Sequence, residues 1–309
     1  MIALIVALLA LAYFGWFCFK AFDPQALAKL YEPRVIAATA IAAGLYALIV
    51  PVSAMAWRKL LVPHSALPGW KELCGIMGFT QLAKYLPGNV AQHASRAMLA
   101  MSRGMTFRRF ATSVTIETIL AVLACAAVAG VFTVSGSASP RVPLALVIWF
   151  PWVVLGLCVG VAFAPEVVRC LSRITRDSRI GIFLSSWQGE IPGRPSQLMA
   201  FAGYCLNYLV IGLGWFLIAR ALGLGSGYSY GQLTSVFAIS WLAGFFAPGL
   251  PAGIGVREGV MAMMLGGVNA SGEVLSAILA MRIATIAADL VWFFLGGWLL
   301  ARNATGNET

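Results

Sequence analysis

The sequence predicts an all-α, polytopic helical membrane protein with about six spanning helices and two re-entrant hairpins related as inverted repeats. Three observations carry that prediction. Of 309 residues, 61% are hydrophobic and only 10% are charged, more apolar surface than one soluble core can hide. Uncharged runs of spanning length recur along the chain. Between them lie two apolar segments that are interrupted by Pro and Gly and carry charge.

The runs cover 1–19, 35–57, 118–140, 142–164 and 195–219, each near the roughly 20 residues that a helix needs to cross about 30 Å of hydrocarbon. A last run, 283–301, qualifies except for Asp289. The first run lacks a basic leader and is followed by Lys20-Ala21-Phe22 without an A-x-A cleavage pattern, so it reads as a retained helix. Cys18, Cys74, Cys125, Cys158, Cys170 and Cys205 are scattered without C-x-x-C spacing, as small apolar residues rather than ligands or disulfides. Residues 1–309 therefore read as one transmembrane domain, with a first half 1–134 and a second half 142–302.

The net charge of +10 is explained by membrane threading, without a nucleic-acid partner. Segment 58–109 holds eight Lys or Arg against one acid, Glu72, and segment 165–196 holds five Arg, whereas 135–141 has one base and 223–231 none. The positive-inside rule puts the two basic segments and both termini in the cytoplasm, as in a bacterial inner membrane, and leaves 20–34 outside despite three bases. Arg169, Arg173 and Arg176 fall at i, i+4 and i+7, either a basic helix face near lipid headgroups or a solvated linker. Trp57, Trp70 and Trp298 fall near the expected interfaces, as aromatic belts do.

The first interrupted segment, about 75–100, contains Lys84 and Tyr85, then Pro87-Gly88-Asn89, then His93 and Arg96. The second, about 233–265, contains Pro248-Gly249, Pro251, Gly253 and Gly255, then Arg257 and Glu258. In both, an aromatic residue stands two before a Pro-Gly pair and an arginine follows the Pro by nine. Each segment is too short to cross twice and too apolar to lie in water, which a re-entrant hairpin satisfies. The freed backbone must then be packed in protein or line a wet cavity. A helix can restart after each break, with Asn89 as N-cap of the first and Gly253 or Gly255 opening the second. Free N–H donors at such ends, beside Arg96 and Arg257, suit a phosphate. The alternative is that Pro and Gly only kink helices while the arginines snorkel to an interface.

Charges elsewhere in apolar sequence are Glu117, Arg282 and Asp289. Glu117 stands at the start of its run, where it is either interfacial or functional. Arg282 and Asp289 lie seven apart, about 10 Å along one helix face, so each needs a partner on another helix, such as Glu258 or a phosphate. His93 either lines the first hairpin's cavity or is structural. With His64 it forms no metal site, and no nucleotide, dinucleotide or hydrolase fingerprint is present, so no metal or cofactor is expected.

The stretch Gln81-Leu82-Ala83-Lys84-Tyr85-Leu86-Pro87-Gly88-Asn89-Val90, with His93 and Arg96, resembles the signature of the lysylphosphatidylglycerol synthase transmembrane-region family, also called flippase-like proteins. Pro251-Ala252-Gly253-Ile254-Gly255-Val256-Arg257-Glu258-Gly259 is similar to its second signature. The resemblance implies lipid handling, whether of aminoacyl-phospholipids or of polyprenyl-phosphate sugars, envelope glycans and hopanoids. The chain runs to Thr309 without a soluble aminoacyl-transferase domain, so a stand-alone member without synthase activity is expected.

The expected function is translocation of a phosphate-bearing lipid, either a polyprenyl-phosphate-linked sugar or a phospholipid. Arg96, Arg257, Arg282 and Lys84 would hold the phosphate, while Glu117, Glu258 and Asp289 balance charge or carry protons. An intramembrane transferase with Glu117 or Asp289 as base, or a membrane partner of a glycosyltransferase in envelope biosynthesis, is the competing expectation. The threading has its own test. A reporter fused after Gly225 should lie outside, and one after Ser178 or at Thr309 inside; the same side for Ser178 and Gly225 contradicts inverted repeats.

Overall fold

The computed structural model describes residues 27–61, 68–86, 90–133, 190–224, 227–247, 250–267 and 270–305, together with 166, 170 and 174. These residues form helices and turns, with no strand among them. Four helical segments are long and apolar enough to cross a bilayer: Pro33–Leu60, Phe107–Phe132, Arg194–Ala221 and Gly272–Arg302. The protein is thus an all-α polytopic membrane protein. The expected runs 1–19 and 142–164, the arginines 169, 173 and 176, Pro87-Gly88-Asn89 and Pro248-Gly249 lie outside the described residues.

The expected run 35–57 forms one candidate span in two pieces, α1 (Pro33–Ala47) and α2 (Ile49–Leu60). Pro51 has no N–H to give the carbonyl of Ala47, and its ring crowds that carbonyl. The freed oxygen accepts the indole N–H of Trp292 at 2.6 Å. A proline break inside the membrane is thereby satisfied by a distant helix.

Helix α3 (Trp70–Phe79), a 3-10 turn at Gln81–Tyr85 and α4 (Val90–Ser102) make the first interrupted segment. With 10 and 13 residues, these helices extend about 15 and 20 Å, too short to cross. Helix α5 (Phe107–Phe132) starts at Phe107, earlier than the expected 118, because Thr106 caps it through a hydroxyl that accepts from the Arg109 N–H. Thr112, Ser113 and Thr118 return their hydroxyls to the carbonyls of Arg108, Phe110 and Val114. Such bonding makes the polar stretch tolerable inside a helix. Glu117 therefore sits buried within α5 and is not interfacial.

Helix α6 (Arg194–Ala221) matches its expected run to within two residues at either end. The second interrupted segment is α7 (Tyr230–Phe246), a 3-10 turn at Pro251–Gly253 and α8 (Val256–Gly266). At 17 residues, α7 extends about 25 Å, longer than a short hairpin leg. Its start is fixed by a reciprocal cap: Ser229 Oγ accepts from the Gln232 N–H, and Gln232 Oε1 from the Ser229 N–H. The last helix, α9 (Gly272–Thr305), begins well before the expected 283 and holds Arg282 and Asp289 in one continuous element.

Helix α6 packs on α1, α2, α5 and α7, while α9 packs on α1 and α3. The two 3-10 turns touch each other, so the breaks of the two interrupted segments meet. Glycines let α3 and α9 approach closely, as small residues do where lipid supplies no hydrophobic drive. A Cβ on Gly296 would lie 2.5 Å from the Phe79 nitrogen and 2.8 Å from the Gly75 carbonyl oxygen. Since both neighbours are backbone, Gly296→Ala must push the helices apart and should cost about 1–3 kcal/mol of stability. Thermal unfolding in detergent measures this; Gly44→Ala, where a Cβ meets nothing within 4 Å, should leave it unchanged or improved.

Candidate functional site

A cavity of about 270 Å³ opens where the two interrupted segments meet, walled by residues of α4, α5, α7, α8, α9 and both 3-10 turns. Lys84, Tyr85, His93, Arg96, Glu117, Gly253, Arg257 and Arg282 all line it. Glu258 and Asp289, each about 2% exposed, stand behind this lining as partners. Pro251 and Gly255 belong to the second break. Sequence positions far apart thus converge as charge required, because each intramembrane charge needs a partner.

Arg96 lies on the second turn of α4 and is buried. Its Nη1 and Nη2 donate to Glu117 Oε1 and Oε2 at 3.0 and 2.6 Å, a two-bond fork. Beneath it lies the Trp57 ring, 3.7 Å from the guanidinium carbon, a cation–π contact that desolvation strengthens. Trp57 is fully buried and donates its Nε1–H to Ser113 Oγ at 2.9 Å. It is therefore the floor of the Arg96 site and no interfacial belt residue. Both terminal nitrogens of Arg96, expected as a phosphate ligand, are thus held by a carboxylate, while its Nε is buried without a partner.

On the first turn, Lys84 Nζ pairs with Asp289 Oδ2 at 2.7 Å, and the Tyr85 hydroxyl donates to the same oxygen at 2.7 Å. Lys84 also reaches Tyr46 Oη at 3.5 Å and Gln81 Oε1 at 3.4 Å. Across the cavity, Arg282 Nε pairs with Glu258 Oε1, one of the two kinds of partner, a carboxylate or a phosphate, expected for it. The other oxygen, Glu258 Oε2, accepts the Gly255 N–H at 2.7 Å. This overturns part of the anion-site expectation, because a donor at the start of α8 is capped by the helix's own carboxylate three residues on.

Arg257 differs from the other three cations in its ion pairing alone, for Arg96 Nε and Arg282 Nη2 are likewise buried without a hydrogen-bond partner. Its guanidinium lies 5.1 Å from the Phe237 ring and its buried Nε has no hydrogen-bond partner. Among the described residues it forms no ion pair. Space for its stem comes from two glycines, since a Cβ on Gly244 would lie 2.5 Å from Arg257 Cγ and one on Gly253 3.0 Å from Cδ. The backbone there is left-handed at Ala252 (φ 50°), Gly253 (67°) and Gly255 (88°), a run that an L side chain such as Ala252 adopts only at a cost.

Tyr46, Trp57, Gln81, Gln92 and Ser113 were not singled out as site residues by sequence. Tyr46 and Trp57 look like ordinary aromatics of an apolar run, and only the three-dimensional return of Lys84 and Arg96 gives them a role. Among the described residues no group of His, Cys, Asp and Glu is placed to hold a metal. Cys74 and Cys125 are buried, Cys205 partly so, and Cys170 is exposed.

The family model described as lysylphosphatidylglycerol synthase TM region matches residues 1–292. No curated protein matches the chain.

The Arg96–Glu117 fork makes a stability prediction. Removing one partner strands a buried charge, so Arg96→Ala or Glu117→Ala should each cost about 3–5 kcal/mol. Replacing both, as in Arg96→Met with Glu117→Leu, should recover most of that loss. Detergent unfolding midpoints of the two singles and the double decide it; additive losses would mean the two side chains act separately.

Proposed function

This chain belongs to the lysylphosphatidylglycerol synthase TM-region family, and we propose on that footing that it translocates a phosphate-bearing lipid across the bilayer. The observation that carries the proposal is Arg257: a cation with no ion pair among the described residues, in the lining of a cavity where the two interrupted segments meet. An uncompensated charge inside a membrane protein marks a functional site by default. The cavity, about 270 Å³, lies at the small end of ligand sites. It takes a headgroup, while the tail stays in lipid.

Each interrupted segment is tied to α9 by charge, the first through Lys84–Asp289 and the second through Glu258–Arg282. In our reading the segments are inverted repeats, and release of one tie at a time opens the cavity toward alternate sides. A transporter is favoured over a transferase because both candidate bases are occupied. Glu117 is chelated by Arg96, and Asp289 takes two donors on one oxygen.

Guanidinium grips phosphate through two parallel hydrogen bonds, whereas an ammonium offers a point charge. Arg257→Lys should therefore impair flipping in liposomes, and Arg257→Ala should impair it more, while both stay folded. Losing one charge-assisted contact of about 1.5–3 kcal/mol weakens lipid binding roughly ten- to a hundredfold. Arg34→Ala, at an exposed pair with Glu32, should have no effect. The same preparation should change the sidedness of labelled lipid-linked sugar without converting it. Full flipping by Arg257→Ala, or conversion of the label, overturns the proposal.

A further inference from the structure

A second cavity, of about 300 Å³, shares no lining residue with the first. Its floor is one face of α2, where Pro51, Val52, Met55, Ala56 and Lys59 recur at the spacing of a helix stripe. Trp70 of α3, with Met199 and Gly203 four apart on α6, completes the lining, and both of those helices pack on α2. The stripe rises about 12 Å, from within the candidate span Pro33–Leu60 to its end at Lys59. Only Trp70 and Lys59 among these side chains carry N–H donors, and the Trp70 indole N–H is already given to the Pro51 carbonyl at 3.2 Å. Lys59, its neighbour Arg58, and Lys71 beside Trp70 are exposed. None of the three belongs to an ion pair among the described residues.

We propose that this groove holds one resident anionic phospholipid of the surrounding leaflet, with an acyl chain along the α2 stripe and its phosphate at Lys59. This lipid is a bound constituent outside the central cavity, and the inference stands independently of translocation. The order of the lining matches a phospholipid from tail to head: apolar at hydrocarbon depth, basic at the end of the span where headgroups begin. No carboxylate in the lining balances Lys59, so the headgroup has to. A zwitterionic lipid brings its own cation toward three bases, whereas an anionic one brings none that is uncompensated. The walls suit a chain as well. Met55 and Met199, 45% and 55% exposed, are flexible enough to mould to it. A Cβ on Gly203 would meet only Ala56 Cβ and Val52 Cγ1, at 3.6 Å, an ordinary contact. Helix packing therefore does not demand glycine there, and the space it leaves belongs to the groove. So seated, the lipid bridges α3 of the first interrupted segment to α6.

The test is native mass spectrometry of the full-length chain in mild detergent, offered equal amounts of dioleoyl phosphatidylserine and dioleoyl phosphatidylcholine. One phosphatidylserine should be retained, with a preference of at least about tenfold from three nearby bases. Lys59→Gln should weaken its binding about fivefold, as expected for one basic contact. Gly203→Leu, whose side chain enters the groove, should abolish retention, and Arg257→Ala should leave it unchanged. Equal retention of the two lipids overturns the proposal, as does phosphatidylserine binding indifferent to both Lys59→Gln and Gly203→Leu. Loss of the lipid in Arg257→Ala would assign it to the central cavity and overturn this site. Tail-less glycerophosphoserine should not compete; if it does, the site takes a soluble anion and the acyl groove is overturned. Lys59 is exposed, so its variant keeps the question decidable even if Gly203→Leu misfolds.

Discussion

A charged side chain inside hydrocarbon has no water to turn to, and seven such side chains are organised around one cavity by that fact. Each pair joins elements that apolar packing alone would hold loosely, since helices in lipid gain little from burying leucine against leucine. Arg96–Glu117 fixes α4 to α5, Lys84–Asp289 fixes the first turn to α9, and Glu258–Arg282 fixes α8 to α9. Helix α9 is consequently the common anchor. Its glycine seam with α3 and its two charges hold both interrupted segments in reach of each other.

The backbone obeys the same constraint. At three described breaks or helix ends a side chain supplies the missing partner. Trp292 serves the carbonyl released by Pro51, Glu258 of the same helix serves the N–H at Gly255, and the hydroxyl of Tyr228 donates to the Leu265 carbonyl near the end of α8 at 2.7 Å. The two interrupted segments bring Arg257 and Arg96 into one cavity although 161 positions separate them in sequence.

Much of this was legible in the sequence because membrane physics leaves few options. Apolar runs of spanning length gave the class, and the shared Pro-Gly and arginine spacing singled out both breaks. The rule that intramembrane charges need partners anticipated Glu258 for Arg282. Helix limits were less legible. Polar starts such as Thr112 to Thr118 look like interface in a hydropathy reading, yet their hydroxyls are satisfied by carbonyls one turn back. Arg96 illustrates the harder failure. Local sequence presents it as a free cation on a broken hairpin, and only the packing of α4 on α5 delivers Glu117. Likewise, nothing local separates Trp57 from a belt tryptophan; its role depends on the guanidinium above it.

The two interrupted segments also differ in how their charges are paired. In the first, the hairpin contributes the cation and the following long helix the carboxylate, 21 residues on. The second half pairs its hairpin with the following helix too, but with signs exchanged: Glu258 is on the hairpin and Arg282 on α9. Arg257 occupies the position nine after proline that Arg96 holds in the first half, and the same step of 21 from Arg257 leads to Ile278, which is buried and about 2% exposed. No carboxylate stands where the equivalent of Glu117 would be. Reversing one pair while keeping the arginine leaves Arg257, among the described residues, outside the ion pairs that hold Lys84, Arg96 and Arg282.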